Sequence, residues 1–396
     1  MLPFNIQPLA QDEPSTSDDT VYIKDLPKAG CLSGIDLKFL IANLTHANGN
    51  PAGNILDCIN KIEIVRNGDE RIFSMSGNEL FQHYWVQDGK PPFHEFNGRN
   101  SEEAFVVFPI RFGRFMGDTQ FGLNLAKASN TQLLIDYALN PVGDNSDGDP
   151  TGFKTATTVI NAMMHITPPD RTVPFQACIG LRQYYTHATT ASETKRMQLP
   201  MQNPLLGMGV YNHLSAYSQN STVASLNLEL NNGDKIPIRG NWYDLVRIQA
   251  QHIFDNNLRF LTLWTTGKTL DLLTNWIQGV FVKPMYNTPT TTWQNIIRAP
   301  QLSIAGGLLT MAAGPALGVD LDAATTITAA ANAINQPYDV LVQSYPDRYV
   351  YLPMADKMNM AEITQPNLYS LIEAVVKEGA TGSATESLIV EELRTA

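Results

Sequence analysis

Alternating apolar and polar positions dominate this chain, and helical periodicity is scarce. Side chains of a strand point to opposite faces in turn, so a half-buried strand reads with a period of two. On that basis strands are expected at 32–44, 60–66, 71–75, 104–110, 119–126, 131–139 and 157–166. Phe105-Val106-Val107-Phe108 and Leu133-Leu134-Ile135-Asp136-Tyr137 are rich in residues that favour the pleated backbone. In the second half, strands are expected at 226–230, 236–238, 258–264, 339–344, 348–352 and 386–391. The segment 366–377 spaces Leu368, Leu371, Ile372 and Val375 for one face of a short helix.

The pattern repeats once. Ile62-Glu63-Ile64-Val65-Arg66 runs into Asn67-Gly68-Asp69, and Leu226-Asn227-Leu228-Glu229-Leu230 runs through Asn231 into Asn232-Gly233-Asp234. Asn-Gly between apolar alternations predicts a tight hairpin, because its turn needs positive φ at both central residues. After each turn come Gly-Asn pairs, Gly77-Asn78 and Gly240-Asn241, and each pair heads a short helix-like run. Asn78 and Asn241 are therefore expected as helix N-caps. Upstream, Leu26-Pro27 and Leu199-Pro200 each precede an alternating run. The spacing from Leu-Pro to Asn-Gly is eight residues shorter in the second copy, where the first carries a loop from His46 to Gly53. Loop trimming between strands of preserved order is what a duplicated β domain shows.

The expected fold is therefore all-β: two tandem jelly rolls, each an eight-stranded β-sandwich, with short helices and long loops. The expected division is an N-terminal arm at 1–20, a first jelly roll at 21–190 and a second at 191–396. The second carries an Ala/Thr/Gly-rich insertion near 300–338, charged only at Asp320 and Asp322, expected as an irregular loop that meets neighbouring subunits.

Composition sharpens this picture. The chain has 396 residues, enough for two or three domains, with 43% hydrophobic but only 16% charged residues. Average soluble proteins carry about 25% charged residues, so the low value fits a surface covered by neighbours. The net charge is −11 and no basic arm or patch stands out, which argues against direct packing of nucleic acid. Three cysteines without a CxxC motif read as buried free thiols of a protein made in a reducing cytoplasm. No charge occurs from Pro300 to Val319, about the length of a membrane span, but its glycines and proline favour a packed loop.

No catalytic constellation emerges. There is no GxSxG elbow and no Walker loop, and the seven histidines are dispersed without HxH or HExxH spacing. No catalytic, cofactor or metal residues are expected, save a weak calcium candidate in the acidic loop at Asp144, Asp147 and Asp149. Aromatics cluster at Phe81, Tyr84, Trp85, Phe93 and Phe96, and again at Trp242, Tyr243 and Phe254. Because both clusters follow the repeated turn, they are expected to pack a helix onto a sheet.

The repeated elements, Asn67-Gly68 with Gly77-Asn78 and Asn232-Gly233 with Gly240-Asn241, resemble the double-jelly-roll major capsid proteins of tailless icosahedral viruses. The nearest likeness is to membrane-containing phages of the corticovirus and tectivirus kind. That resemblance implies a non-enzymatic structural protein without a cofactor. It implies pseudo-hexameric homotrimers that tile an icosahedral virion shell. The implied partners are neighbouring trimers, penton or minor capsid proteins and an inner viral membrane, with no direct nucleic-acid contact. The competing expectation is a phage spike or another receptor- or glycan-binding β protein, which would present an aromatic groove.

Overall fold

A computed structural model describes residues 5–15, 19–42, 55–95, 103–139, 158–167, 175, 177–213, 222–251, 258–263, 269–271, 276–284, 294–296, 301–305, 308–312, 326–328, 338–345, 348–356, 364–380 and 384–395. Sixteen strands build its core. The first eight are β1 (Asn5–Ser15), β2 (Asp19–Asp25), β3 (Cys31–Ala42), β4 (Ile59–Arg66), β5 (Glu70–Met75), β6 (Glu103–Arg111), β7 (Thr131–Ala138) and β8 (Thr158–Thr167). The next eight are β9 (Ala177–Ala188), β10 (Thr194–Gln198), β11 (Leu205–Asn212), β12 (Val223–Leu230), β13 (Lys235–Asn241), β14 (Tyr349–Pro353), β15 (Ile372–Glu378) and β16 (Thr385–Thr395). Helix α1 (Gly77–Asp88) follows β5, and α2 (Trp242–Ala250) follows β13.

Period-two alternation explains the strands. In β6 the side chains of Ala104, Val106, Phe108 and Ile110 are buried, and those between them are not. In β7, Leu133, Ile135 and Tyr137 do the same. Both hairpin turns use the left-handed backbone: φ is 56° at Asn67 and 86° at Gly68, and 53°, 60° and 90° at Asn231, Asn232 and Gly233. Gly68 has open space around the position of a Cβ, so its conformation, not its size, calls for glycine.

The strand order reveals the duplication in full. In the first repeat the sheet β1-β8-β3-β6 accompanies β2-β7-β4-β5. In the second, β9-β16-β11-β14 accompanies β10-β15-β12-β13. Each strand of the first repeat thus has its counterpart eight strands later, in the two-sheet order of a jelly roll. The repeats are fused by one parallel pairing of β5 with β9, Phe73 opposite Leu181 and Ser74 opposite Arg182. That pairing makes β2-β7-β4-β5-β9-β16-β11-β14 a single eight-stranded sheet.

Several expectations change. The segment 366–377 is no helix: after a 3-10 turn at Pro366–Leu368, β15 pairs with both β10 and β12. Ile372, Ala374 and Val376 are wholly buried on one face of it, so period two prevails over helical spacing. The strand expected at 119–126 shrinks to Leu123–Asn124, followed by a 3-10 turn at Leu125–Lys127. The arm expected at 1–20 holds β1, which pairs antiparallel with β8 from Asn5 opposite Ile166 to Ser15 opposite Thr158. Its mostly exposed side chains carry little apolar alternation; backbone pairing, the buried Ala10 and the bonds of Glu13 to Tyr22 and Lys24 place it. Strand β9, counted with the first unit in the sequence, takes in the second repeat the place β1 takes in the first. Strand order therefore begins the second repeat at Ala177, because β9 is laddered to β16.

The uncharged insertion is not irregular throughout. Gln301–Ala305 and Leu308–Ala312 form a hairpin, joined by Thr269–Asp271 and Thr326–Thr328 in a four-stranded sheet. A second such sheet holds Leu258–Leu263, Trp276–Pro284, Gln294–Ile296 and Tyr338–Tyr345. Among the described residues no helix is long and apolar enough to cross a membrane.

Candidate functional site

The joint between the repeats concentrates the buried polar groups of the molecule. Helix α1 contributes three polar side chains four residues apart, Glu79, His83 and Gln87, which share one face. All three reach the second repeat. Glu79 Oε1 accepts from Gln183 Nε2 of β9 at 2.9 Å, and His213 Nε2 lies 3.3 Å away. His83 Nδ1 meets the Tyr349 hydroxyl of β14 at 2.8 Å, and Gln87 Nε2 donates to Glu391 Oε2 of β16 at 3.1 Å. The Tyr351 hydroxyl also donates to Glu391 Oε2, at 2.5 Å. The opposite, apolar side of α1 buries Phe81 and Trp85.

Electrostatics tighten the joint. Burial would raise the Glu79 carboxyl, but His213, the Ser76 backbone N–H and Ser387 outweigh it and hold Glu79 below the ordinary carboxylate range. Burial beside Glu391 pushes the Tyr349 and Tyr351 phenols well above their ordinary values, so both stay neutral.

A second set of contacts lies where β5 meets β9. Arg394 of β16 donates through Nε to Glu392 Oε1 at 2.9 Å and through Nη1 to the Arg71 carbonyl of β5 at 2.9 Å. Glu392 is fully buried; it also accepts from Asn203 Nδ2 at 2.9 Å and lies 3.0 Å from Arg182 Nε. Gly180 of β9 makes room for this arginine, since a Cβ there would sit 2.9 Å from Arg394 Cδ. Arg66 completes the set with two bonds to Glu70, at 2.7 and 2.8 Å.

The structure separates residues that the sequence had paired. The N-cap of α1 is Ser76, not Asn78. The Ser76 hydroxyl accepts from the Glu79 N–H at 3.3 Å, and Glu79 Oε2 accepts from the Ser76 N–H at 2.9 Å. Gly77 opens the helix because a Cβ there would lie 2.8 Å from both Ile59 Cβ and the Leu56 carbonyl. Asn78 instead donates to Asp57 at 2.7 Å. Asn241 does cap α2, though its side chain takes no backbone bond there. Gly77-Asn78 and Gly240-Asn241 are thus offset by two positions in their helices.

The hairpins also align differently. Asn67 Oδ1 accepts from the Ser129 N–H at 2.9 Å and its hydroxyl at 3.1 Å. Asn231, not Asn232, makes the matching bonds to Ser370, at 2.8 and 3.2 Å. Phe81, Tyr84, Trp85 and Trp242 are buried, whereas Phe93 is 72% exposed and Tyr243 is partly so. Asp144, Asp147 and Asp149 lie outside the described residues, as do Phe96 and Phe254. Cys31, Cys58 and Cys178 are free, and burial pushes the Cys178 thiol up to about 11. The joint residues went unread in the sequence. The i, i+4, i+8 spacing of Glu79, His83 and Gln87, which puts three polar side chains on one helical face, was the available signal.

No protein-family model matches the chain, and no curated protein matches it in sequence. Solved structures do match. The STIV major capsid protein aligns with a TM-score of 0.56 at 10% identity, over 98% of this chain and 96% of that one. A chain from the atomic structure of Sulfolobus Turreted Icosahedral Virus aligns equally well at 11% identity, over 98% of this chain and 90% of that one. The Faustovirus major capsid protein aligns more loosely, with a TM-score of 0.43 at 7% identity over 99% and 90%. At such identities the likeness is one of fold, and the fold is the double jelly roll. These viruses are not of the corticovirus and tectivirus group to which the sequence reading pointed.

Proposed function

We propose that this chain is a viral major capsid protein that works as a structural building block rather than an enzyme. The observation that carries the reading is the complete duplication of an eight-stranded jelly roll, fused through one continuous sheet. Such a fusion presents two similar prisms side by side. Three copies around an axis make a six-sided block, a shape that tiles a closed shell with few kinds of contact. A homotrimer is the assembly this reading requires, and the virion shell is its location. Neighbouring trimers, penton or minor capsid proteins and an inner viral membrane are its partners.

The surface supports self-association. Edge strands β1 and β2 expose Ile6, Val21 and Ile23 by 52%, 48% and 55%, apolar area that an isolated molecule leaves in water. Light scattering after gel filtration tests the reading. The expected species is about three times 43.7 kDa and persists on dilution. A monomer that forms no hexagonally outlined particles at high concentration would sink it.

A further inference from the structure

His187, Glu378 and Glu386 lie far apart in the sequence and come together at one end of the second repeat. His187 of β9 is the direct cross-strand partner of Glu386 of β16. Glu378 ends β15, in the other sheet of the same repeat. His187 Nε2 is 2.9 Å from Glu378 Oε1 and 3.8 Å from Glu386 Oε2, and the three donor atoms all fall within 4.8 Å of one another. Side-chain exposure is 7%, 1% and 0% respectively.

Glu386 is the anomaly. Both of its carboxylate oxygens are buried and neither takes a hydrogen bond. A buried carboxylate without donors, beside a second carboxylate, is costly. Glu378 has better company, since its other oxygen accepts from the Thr190 N–H. An acid in this position either holds a proton or faces a cation.

We propose that His187, Glu378 and Glu386 bind one divalent transition-metal cation of the zinc class, which staples the two sheets of the second repeat together. One imidazole nitrogen and two carboxylate oxygens are a donor set such ions accept, with water completing the tetrahedron. Metal–ligand bonds of about 2.1 Å place donor atoms about 3.4 Å apart, a spacing that the 2.9 and 3.8 Å from His187 to the two carboxylates bracket. Calcium wants six or more oxygens and finds too few here. A dication balances the two carboxylates, and the Thr190 N–H holds Glu378 in place as an outer partner.

The test uses the full-length protein stripped with a chelator and titrated with zinc against a chromogenic competitor. The expected result is about one zinc per chain, with a melting temperature several degrees higher than that of the stripped protein. Calcium and magnesium should not reproduce the shift. Glu386→Gln and His187→Gln should each weaken zinc binding roughly tenfold or more. Glu386→Gln keeps the shape and removes the unpaired charge, so the variant should still fold. Cobalt added to the stripped wild-type protein should give the visible bands of a four-coordinate ion, a readout that needs no variant. Absence of stoichiometric binding and of those bands would overturn the site. So would zinc binding that both variants retain.

Discussion

Asp118 shows how much one side chain can organise. It is 1% exposed, in the loop after β6. Its two oxygens accept from Arg114 Nε at 2.8 Å, Arg114 Nη2 at 3.0 Å and the Gln120 N–H at 2.9 Å. Burial would raise this carboxyl, but Arg114 and the backbone N–H groups of Gln120 and Arg114 outweigh it and hold it below the ordinary aspartate value. A depressed folded pKa gives stability that is present above the unfolded value, about 4, and lost as pH falls through the folded one. Asp118→Asn should therefore cost roughly 3 kcal/mol at pH 7, since it leaves Arg114 partly buried and without its ion pair. In urea melts the gap from wild type should narrow as pH falls below the ordinary aspartate range and close once Asp118 is protonated in the folded protein, where both proteins carry a neutral side chain. A gap that stays constant down to pH 2 would show that shape rather than charge holds the loop.

At the scale of elements, the two helices follow equivalent hairpins yet start by different devices. Helix α1 uses the reciprocal Ser76 and Glu79 bonds of a capping box, and α2 has Asn241 at its head without a side-chain bond to the backbone. Ser76→Ala should cost about 1 kcal/mol in chemical denaturation, the usual loss for a cap. Asn78→Ala loses only an exposed bond to Asp57 and should cost roughly half as much or less. The reverse order would restore Asn78 as the cap. The Ser-x-x-Glu signature was legible at Ser76-Gly77-Asn78-Glu79, but the Gly-Asn echo in the second copy drew attention to the wrong position. Steric crowding of Gly77 against Ile59 and Leu56, invisible in the sequence, decides where the helix begins.

The whole molecule depends on how its two repeats are joined. Parallel β5 and β9 share only two residue pairs, so side chains carry much of the joint. Arg394 bridges the buried Glu392 to the backbone of β5. Arg394→Ala should destabilise the protein by roughly 3 kcal/mol, because Glu392 would keep a buried charge with fewer partners. Hydrogen exchange should show the added opening concentrated in β5 and β9, where backbone pairing is thinnest. Uniform loss of protection across both repeats would argue against a local joint. In the proposed capsid role a rigid joint would also matter: two prisms that hinge freely would pay an ordering cost at every contact of a shell.

Periodicity and turn chemistry are local, and what they determine was readable in the residues. Period-two alternation marks most core strands, Asn67-Gly68 and Asn232-Gly233 mark the hairpins, and their recurrence marks the duplication. Partner choice is not local. The Asn67 bond to Ser129 recurs at Asn231 with Ser370, across different sequence separations, so no alignment of turns could pair them. Strand β1 looked like an arm because backbone pairing with β8, not apolar alternation, holds it. The union of β5 with β9, which joins residue 73 to residue 181, leaves no mark in either segment. Only the folded sheets bring His187 to Glu378 and Glu386, because a strand ladder sets neighbours by register and a sandwich sets them by packing.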